Sequence, residues 1–129
     1  MGAGIVIREA HFPGRAPIDA YGNGGFRFAD MSHRGSILCL PSGIHGWDAQ
    51  SVADLTPDRF GKVFGEADRI EILLVGTGVE MARLPQPLRE ALSQAGIAVD
   101  AMSTGAAVRT YNVLLAEDRA VAAALIAVA

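Results

Sequence analysis

Residues 103–119 have the sequence STGAAVRTYNVLLAEDR, which places a helix start directly behind the apolar residues 97–102. The short apolar run is typical of a buried strand. Thr104 is expected to cap the following helix, and the small residues behind it would leave the first amide groups accessible to an anion. The apolar face of this helix consists of Ala107, Tyr111, Leu114 and Leu115. These features predict a strand-to-helix unit of an α/β sheet.

A second unit of the same kind precedes the first. Residues 70–75 are apolar apart from Glu71, which predicts a strand buried on both faces, and Gly76-Thr77-Gly78 closes this strand with a turn. Residues 84–95 carry apolar side chains at helical spacing, and Gly96 is a natural helix end. The order strand, helix, strand, helix predicts parallel strands joined by a right-handed crossover.

The C-terminal residues 120–129 are apolar and rich in alanine. Their periodicity does not distinguish a continued helix from a strand, but the charged residues 117–119 interrupt the helical pattern. We therefore predict a strand for this segment.

A further helix is predicted to begin after residue 56 and to end near Gly65. Thr56 is suited to the N-cap position and Pro57 to the first helical position, while Asp58 places an acid in the first turn.

The part of the chain before Trp47 and Asp48 is rich in glycine, proline and aromatic residues. Short apolar runs separated by glycine and proline turns predict antiparallel strands at residues 5–7, 25–28 and 36–40. With 50% hydrophobic and 19% charged residues, the 129 residues are sufficient for one domain spanning residues 1–129.

The charge balance and the cysteine content restrict the class of partner. A net charge of −3 with scattered basic residues provides no basic stripe for nucleic acid. Cys39 is the only cysteine, which suits a reducing compartment, and no run approaches the length of roughly 18 apolar residues that a membrane span needs. We expect a soluble, cytoplasmic protein with no membrane span.

The two glycine turns define a candidate ligand site. A dinucleotide site is disfavoured, because Met81 stands where G-x-G-x-x-G needs its third glycine and Pro85 delays the helix start. The remaining hypothesis is a small anionic ligand bound by Gly76, Thr77, Gly78, Thr104, Gly105 and Arg109. The alternative is that these residues only form turns and a helix cap.

Arg109 has two interpretations. A cation near a helix N-terminus is electrostatically unfavourable and requires an acidic partner. That partner is either a ligand or a carboxylate of the chain, for which Glu80, Asp100 and Asp118 are the candidates.

No set of residues in the sequence indicates catalysis, a metal site or a cofactor. The three histidines lack metal-ligand spacing, Ser42 lacks the G-x-S-x-G pattern, and Cys39 has no neighbouring base. Tyr111 is expected to be a core ring with a satisfied hydroxyl. Ile44 and Trp47 are candidates for an exposed patch that binds a protein partner, although a lone tryptophan more often belongs to a core.

The order of several short motifs resembles one protein family over most of the chain. These motifs are Ile18-Asp19-Ala20-Tyr21-Gly22, Gly35-Ser36-Ile37-Leu38, Gly76-Thr77-Gly78, Thr104-Gly105-Ala106-Ala107 and Arg109-Thr110-Tyr111-Asn112. The chain is similar to the small α/β domain family of unknown biochemical function that includes a mitochondrial complex I assembly factor and the adipogenesis-associated domain protein.

The resemblance implies a three-layer α/β fold, in which helices and an additional antiparallel β-layer from the N-terminal half flank a mixed central sheet. It further implies that the C-terminal strand runs antiparallel to the others. For function, it favours a non-enzymatic binding or assembly module over a small-molecule enzyme or binding protein. A homodimer formed through the edge of the antiparallel layer is a third hypothesis.

Overall fold

The computed structural model describes residues 11–129, so the predicted strand at residues 5–7 lies outside the described part. The α-helices of that part are α1 (Gly61–Gly65), α2 (Gln86–Gln94) and α3 (Thr104–Ala116). The strands are β1 (His11–Phe12), β2 (Ala20–Gly22), β3 (Gly25–Phe28), β4 (Met31–Arg34), β5 (Ser36–Leu40), β6 (Gly43–Trp47), β7 (Ile72–Gly76), β8 (Ala98–Met102) and β9 (Val121–Leu125).

A mixed sheet with the order β1-β6-β5-β9-β7-β8 forms the centre of the molecule. The predicted C-terminal strand is confirmed as β9, which lies between β5 and β7. The expectation that this strand is antiparallel to the others is wrong for one neighbour, because β9 is antiparallel to β5 but parallel to β7. The cause is α3, which carries the chain back along the sheet so that β9 starts at the same end as β7.

The two crossover helices pack on opposite faces of this sheet. From β7 the chain moves outward through α2 to β8, and from β8 it moves back through α3 to β9. Right-handed crossovers in opposite directions place their helices on opposite faces. Leu88 and Leu92 of α2 therefore belong to one hydrophobic core, and Ala107 and Tyr111 of α3 belong to the other.

Alternate side chains of each central strand enter these two cores, as the period of a strand requires. The core on the α2 side contains Leu38, Leu40, Leu73, Val75, Ala122 and Ala124 from the sheet. The core on the α3 side contains Ile37, Cys39, Leu74, Ala123 and Leu125.

A second sheet, with the order β2-β3-β4, covers the α3 side of the molecule. Its strands are antiparallel, and Phe26 and Phe28 of β3 are buried in the core on the α3 side. The predicted three-layer architecture with an additional antiparallel β-layer is thus confirmed. The N-terminal half does more than form that layer, since β1, β5 and β6 belong to the central sheet.

The segment predicted as one helix from residue 56 consists of two short pieces. A 3₁₀-helix covers Pro57–Phe60, and α1 follows directly after it. Thr56 occupies the N-cap position, but its side chain makes no capping hydrogen bond. Glycines at both ends of α1, Gly61 and Gly65, reduce the helix propensity of the segment and explain its shortness.

Candidate functional site

The helix α3 begins one residue earlier than the capping prediction requires. Ser103 is the N-cap residue, and its hydroxyl accepts a hydrogen bond from the Ala106 amide at 3.2 Å. Thr104 is instead the first helical residue and is fully buried. Its assignment as the cap is therefore wrong, because its side chain points into the protein and not back along the helix end.

The Thr104 hydroxyl connects three separate segments. It donates a hydrogen bond to the carbonyl oxygen of Ile126 at 2.7 Å and accepts one from the Gly78 amide at 3.0 Å. The Thr104 amide in turn donates to the Gly78 carbonyl at 2.8 Å. The two glycine turns and the residue after β9 are thus held together at one edge of the sheet.

Gly76 lies against the same threonine. A Cβ atom at Gly76 would lie 2.9 Å from Thr104 Cα and 3.1 Å from Leu125 Cδ2. Real Cβ contacts are essentially never shorter than 3.0 Å, so the first of these would force a backbone to move. Gly78 favours glycine for a different reason, because its backbone φ of +120° is rarely adopted by residues that carry a side chain.

Thr77 uses its polar groups within the loop that follows β7. Its Oγ1 lies 2.9 Å from the Glu80 carbonyl oxygen and 3.2 Å from that of Met102, and it accepts a hydrogen bond from the Ala82 amide at 3.0 Å. The Thr77 amide donates to the Met102 carbonyl at 2.9 Å. The turn that was a candidate anion site therefore directs several of its polar groups to the chain itself.

Arg109 is exposed on α3 and forms no ion pair with any of residues 11–129. The prediction that Arg109 forms an ion pair with Glu80, Asp100 or Asp118 is therefore wrong. Asp118 instead lies 3.9 Å from Arg15. Asp118 lies beyond the end of α3 at Ala116, and its φ of +59° shows that the chain has left the helix there.

Tyr21 of β2 and Arg109 converge on Gly105. A Cβ atom at Gly105 would collide with the Tyr21 hydroxyl and would lie 3.5 Å from Nη1 of Arg109. The absence of a side chain at Gly105 therefore allows an aromatic hydroxyl and a guanidinium group to approach the first turn of α3. Tyr21 was not among the predicted site residues, because contacts between β2 and α3 leave no local pattern in the sequence.

Large apolar side chains are exposed on β2, on α3 and in the loop after β7. The exposed fractions are 42% for Tyr21, 76% for Val79, 64% for Met81 and 56% for Val113. Val79 and Met81 belong to the loop whose first glycine is bonded to Thr104. Val113 follows Gly105 and Arg109 at intervals of four residues, so the three share one stripe of α3. We call Tyr21, Val79, Met81, Arg109 and Val113 the Arg109 surface.

Asn112 fixes the chain segment that precedes Tyr21. Its side-chain amide donates to the Ile18 carbonyl at 2.9 Å, and its side-chain oxygen accepts from the Ile18 amide at 2.9 Å. The Asn112 side chain thus makes the two hydrogen bonds with the Ile18 backbone that a neighbouring strand would otherwise make. This contact ties the approach to β2 to α3 and so holds Tyr21 near Gly105.

The second predicted surface, around Ile44 and Trp47, is not an exposed apolar patch. Ile44 is fully buried because β6 is an inner strand between β1 and β5. Trp47 is half-buried, its indole nitrogen donates to the Arg59 carbonyl at 2.9 Å, and its ring meets Phe60 edge-on at 5.3 Å. The expectation that Ile44 is available to a partner is therefore wrong.

Cys39 and Tyr111 lie in the core on the α3 side. Burial raises the pKa of the Cys39 thiol to about 12 and also raises the pKa of Tyr111. The Tyr111 hydroxyl donates to the Ala16 carbonyl at 3.5 Å, as the expectation of a satisfied core hydroxyl requires. A thiol with such a pKa stays protonated near neutral pH and is a poor nucleophile.

Two further features of residues 11–129 concern metal binding and membrane insertion. No group of three or more histidine, cysteine, aspartate or glutamate side chains in that range is arranged to hold a metal ion. Over the same residues, no helix combines the length and the apolar character that crossing a membrane demands.

The chain is similar to proteins of bacteria and animals. It is 39% identical over 122 residues to an uncharacterised protein of Rhodobacter capsulatus, covering 95% of this chain and 93% of that one. It is 35% identical over 122 residues to the mouse NADH dehydrogenase [ubiquinone] 1 alpha subcomplex assembly factor 3. This match covers 95% of the present chain and 66% of the mouse protein, so the chain spans about two thirds of that relative.

The fold is also found in a solved structure with high sequence identity. A crystal structure from Bartonella henselae, described as that of an outer membrane protein, is 66% identical and has a TM-score of 0.89, covering 92% of this chain and all of that one. The family of proteins of unknown function DUF498/DUF598 matches residues 18–126. With this match and these relatives, the chain belongs to the DUF498/DUF598 family.

Proposed function

We propose that this chain is a non-enzymatic, protein-binding module that assists the assembly of a protein complex. The name of the mouse relative, an assembly factor for NADH dehydrogenase, supports this proposal and makes a subunit of such a complex the first partner to test. The observation that carries the proposal is the Arg109 surface, which combines the exposed Arg109 with four exposed large apolar side chains of β2, α3 and the loop after β7.

The residue types of this surface favour a protein over a small molecule as the partner. Tyrosine, methionine and arginine are enriched in the centres of protein interfaces, and an exposed apolar cluster marks such a site on an otherwise polar surface. The polar groups of the neighbouring turns contact each other, as the hydrogen bonds of Thr77 and Thr104 show. The turns therefore serve as a rigid support for the exposed side chains.

The experiment is a quantitative affinity purification from the native organism with the full-length chain as bait. The variants Met81→Ser and Arg109→Ala are compared with Lys62→Ala, which removes one exposed cation on the α2 side. We expect the wild type and Lys62→Ala to recover the same stoichiometric partner, and the two surface variants to recover at least about tenfold less. Equal recovery by all four chains, or no stoichiometric partner for the wild type, contradicts the proposal.

A second candidate function is the binding of a small anionic ligand near Gly76, Thr77, Gly78, Thr104, Gly105 and Arg109. The observation that favours it is the Arg109 guanidinium, which has no ion-pair partner in residues 11–129 and lies near the Tyr21 hydroxyl. Citrate and inorganic phosphate are suitable probes. Under this alternative they raise the melting temperature of the wild type and of Lys62→Ala but not of Arg109→Ala, and an equal effect on all three chains excludes it.

A further inference from the structure

The outer face of the β2-β3-β4 sheet carries a second feature, a groove of about 380 Å³. Among residues 11–129, Arg27 of β3 and Arg34 of β4 are the arginines that line it, and no carboxylate of that range does so. Both arginines are exposed, and neither forms an ion pair with another of residues 11–129. The groove thus holds two cations without an ion-pair partner among residues 11–129, in a chain whose net charge is −3.

The strand register places both guanidinium groups on the same side of the sheet. Arg27 is directly opposite Ser32, and Arg34 is directly opposite Gly25. Because side chains two residues apart on a strand share a face, Arg27 and Arg34 are diagonal neighbours on that face, a relation with a typical separation of roughly 7–8 Å.

Small residues surround the two arginines. The other positions of this face in the paired rows are Ala20, Gly22, Gly25 and Ser32. These four residues line the groove together with the two arginines. Tyr21, a member of the Arg109 surface, also lines the groove, and its pairing with Phe26 places its side chain on the opposite face of the sheet from the two arginines.

From this arrangement we infer that the groove binds an extended, acidic segment of a protein partner, with carboxylates at alternate positions. Carboxylates at positions i and i+2 of an extended chain lie on one side, roughly 7 Å apart, which matches the diagonal separation of Arg27 and Arg34. Each carboxylate accepts charge-assisted hydrogen bonds from one guanidinium group. The inference rests on the proposed protein-binding function and assigns a chemistry to the partner.

The test uses synthetic peptides and therefore does not depend on the identity of the cellular partner. The first peptide contains two glutamates separated by one serine, the second contains two glutamates separated by two serines, and the third has glutamines in place of the glutamates of the first. Binding to the full chain is measured by NMR titration at low ionic strength, where ion pairs are least screened. Inorganic phosphate is titrated in parallel.

We expect the first peptide to bind most tightly, to shift the Arg27 and Arg34 signals and to lose affinity as salt is added. The double variant Arg27→Gln/Arg34→Gln should bind it at least about tenfold more weakly, because two charge-assisted hydrogen-bonding groups are lost. The double variant Lys62→Gln/Arg69→Gln, which makes the same charge change on the α2 side, should bind like the wild type.

Four outcomes overturn the inference: no binding of the first peptide at millimolar concentration, equal binding of the glutamine peptide, equal weakening by both double variants, or tighter binding of phosphate than of the peptide. An equal affinity for both glutamate spacings overturns the alternate-position requirement. Failure of this test leaves the affinity-purification result for the Arg109 surface unaffected, so the two proposals fail separately.

Discussion

At the scale of single residues, Thr104, a candidate ligand-binding position, has a structural role in the fold. Its hydroxyl is buried and satisfies both the Gly78 amide and the Ile126 carbonyl. Thr104→Val keeps the shape of the side chain but leaves both groups without this partner, and each unsatisfied buried group costs about 1–3 kcal/mol. Thr104→Ser keeps the hydroxyl and loses one methyl group, which costs about 0.8 kcal/mol.

We therefore expect Thr104→Val to lower the free energy of unfolding more than Thr104→Ser does. Urea denaturation followed by circular dichroism measures the difference. If the valine variant is as stable as the serine variant, the two hydrogen bonds do not support the turns as described.

Cys39 makes the stability of the protein depend on pH in the alkaline range. Its pKa is raised by burial from 9.0 to about 12, so the folded chain holds the thiol proton more tightly than the unfolded chain does. The resulting stabilisation is fully present below about pH 9 and is lost as pH rises from there towards 12. Between pH 8 and pH 10 the free energy of unfolding should fall by about 1 kcal/mol because of this group alone.

The measurement is urea denaturation of the wild type and of Cys39→Ala at both pH values. The variant is expected to be less stable throughout, since it leaves a small cavity, but to lose less stability between the two pH values. An identical loss in both chains would show that the thiol of the folded protein is accessible to ionisation.

At the scale of elements, the position of β2 depends on α3 through Asn112. The two hydrogen bonds to Ile18 replace those that a neighbouring strand would provide. Asn112→Ala removes both, and we expect faster amide hydrogen exchange at Ile18 and in β2, with little change in β7. Thr110→Ala, a change on the same helix that leaves both hydrogen bonds between Asn112 and Ile18 in place, is the control. Unchanged exchange at Ile18 in Asn112→Ala would contradict this account.

The elements also show what a local pattern can and cannot predict. Strands β3 and β5 have the predicted bounds because glycine and turn residues delimit each of them. The role of β5 in the central sheet was missed, because its pairing with β9 joins residues such as Cys39 and Ala123 that are far apart in sequence. Likewise, the direction of β9 relative to β7 follows from the path of α3 and not from the composition of the strand.

The same distinction applies to the site. The sequence predicts two glycine turns after two parallel strands, and the structure brings these turns together through Thr104. The sequence could not show that Thr104 reaches Ile126, that Asp118 lies away from Arg109, or that Tyr21 contacts Gly105. Each of these depends on side chains that come from different elements of the folded chain.

At the scale of the whole molecule, the α3 side and the α2 side of residues 11–129 expose different sets of side chains. Tyr21, Arg109 and Val113 of the Arg109 surface lie on the α3 side, as does the groove of Arg27 and Arg34, and Tyr21 belongs to both. The α2 side carries Lys62 and the ion pair between Arg69 and Glu66. A partner that engages apolar and cationic groups together should therefore bind the α3 side.

The most direct test of the central claim, that the Arg109 surface binds a protein, is methyl NMR of the valine- and methionine-labelled chain with and without the partner recovered by affinity purification. The signals of Val79, Met81 and Val113 should shift or broaden when the partner is added, while that of Val52, which packs against the core on the α2 side, should not. A response confined to Val52 and the α2 side, with Val79, Met81 and Val113 unchanged, would contradict the account.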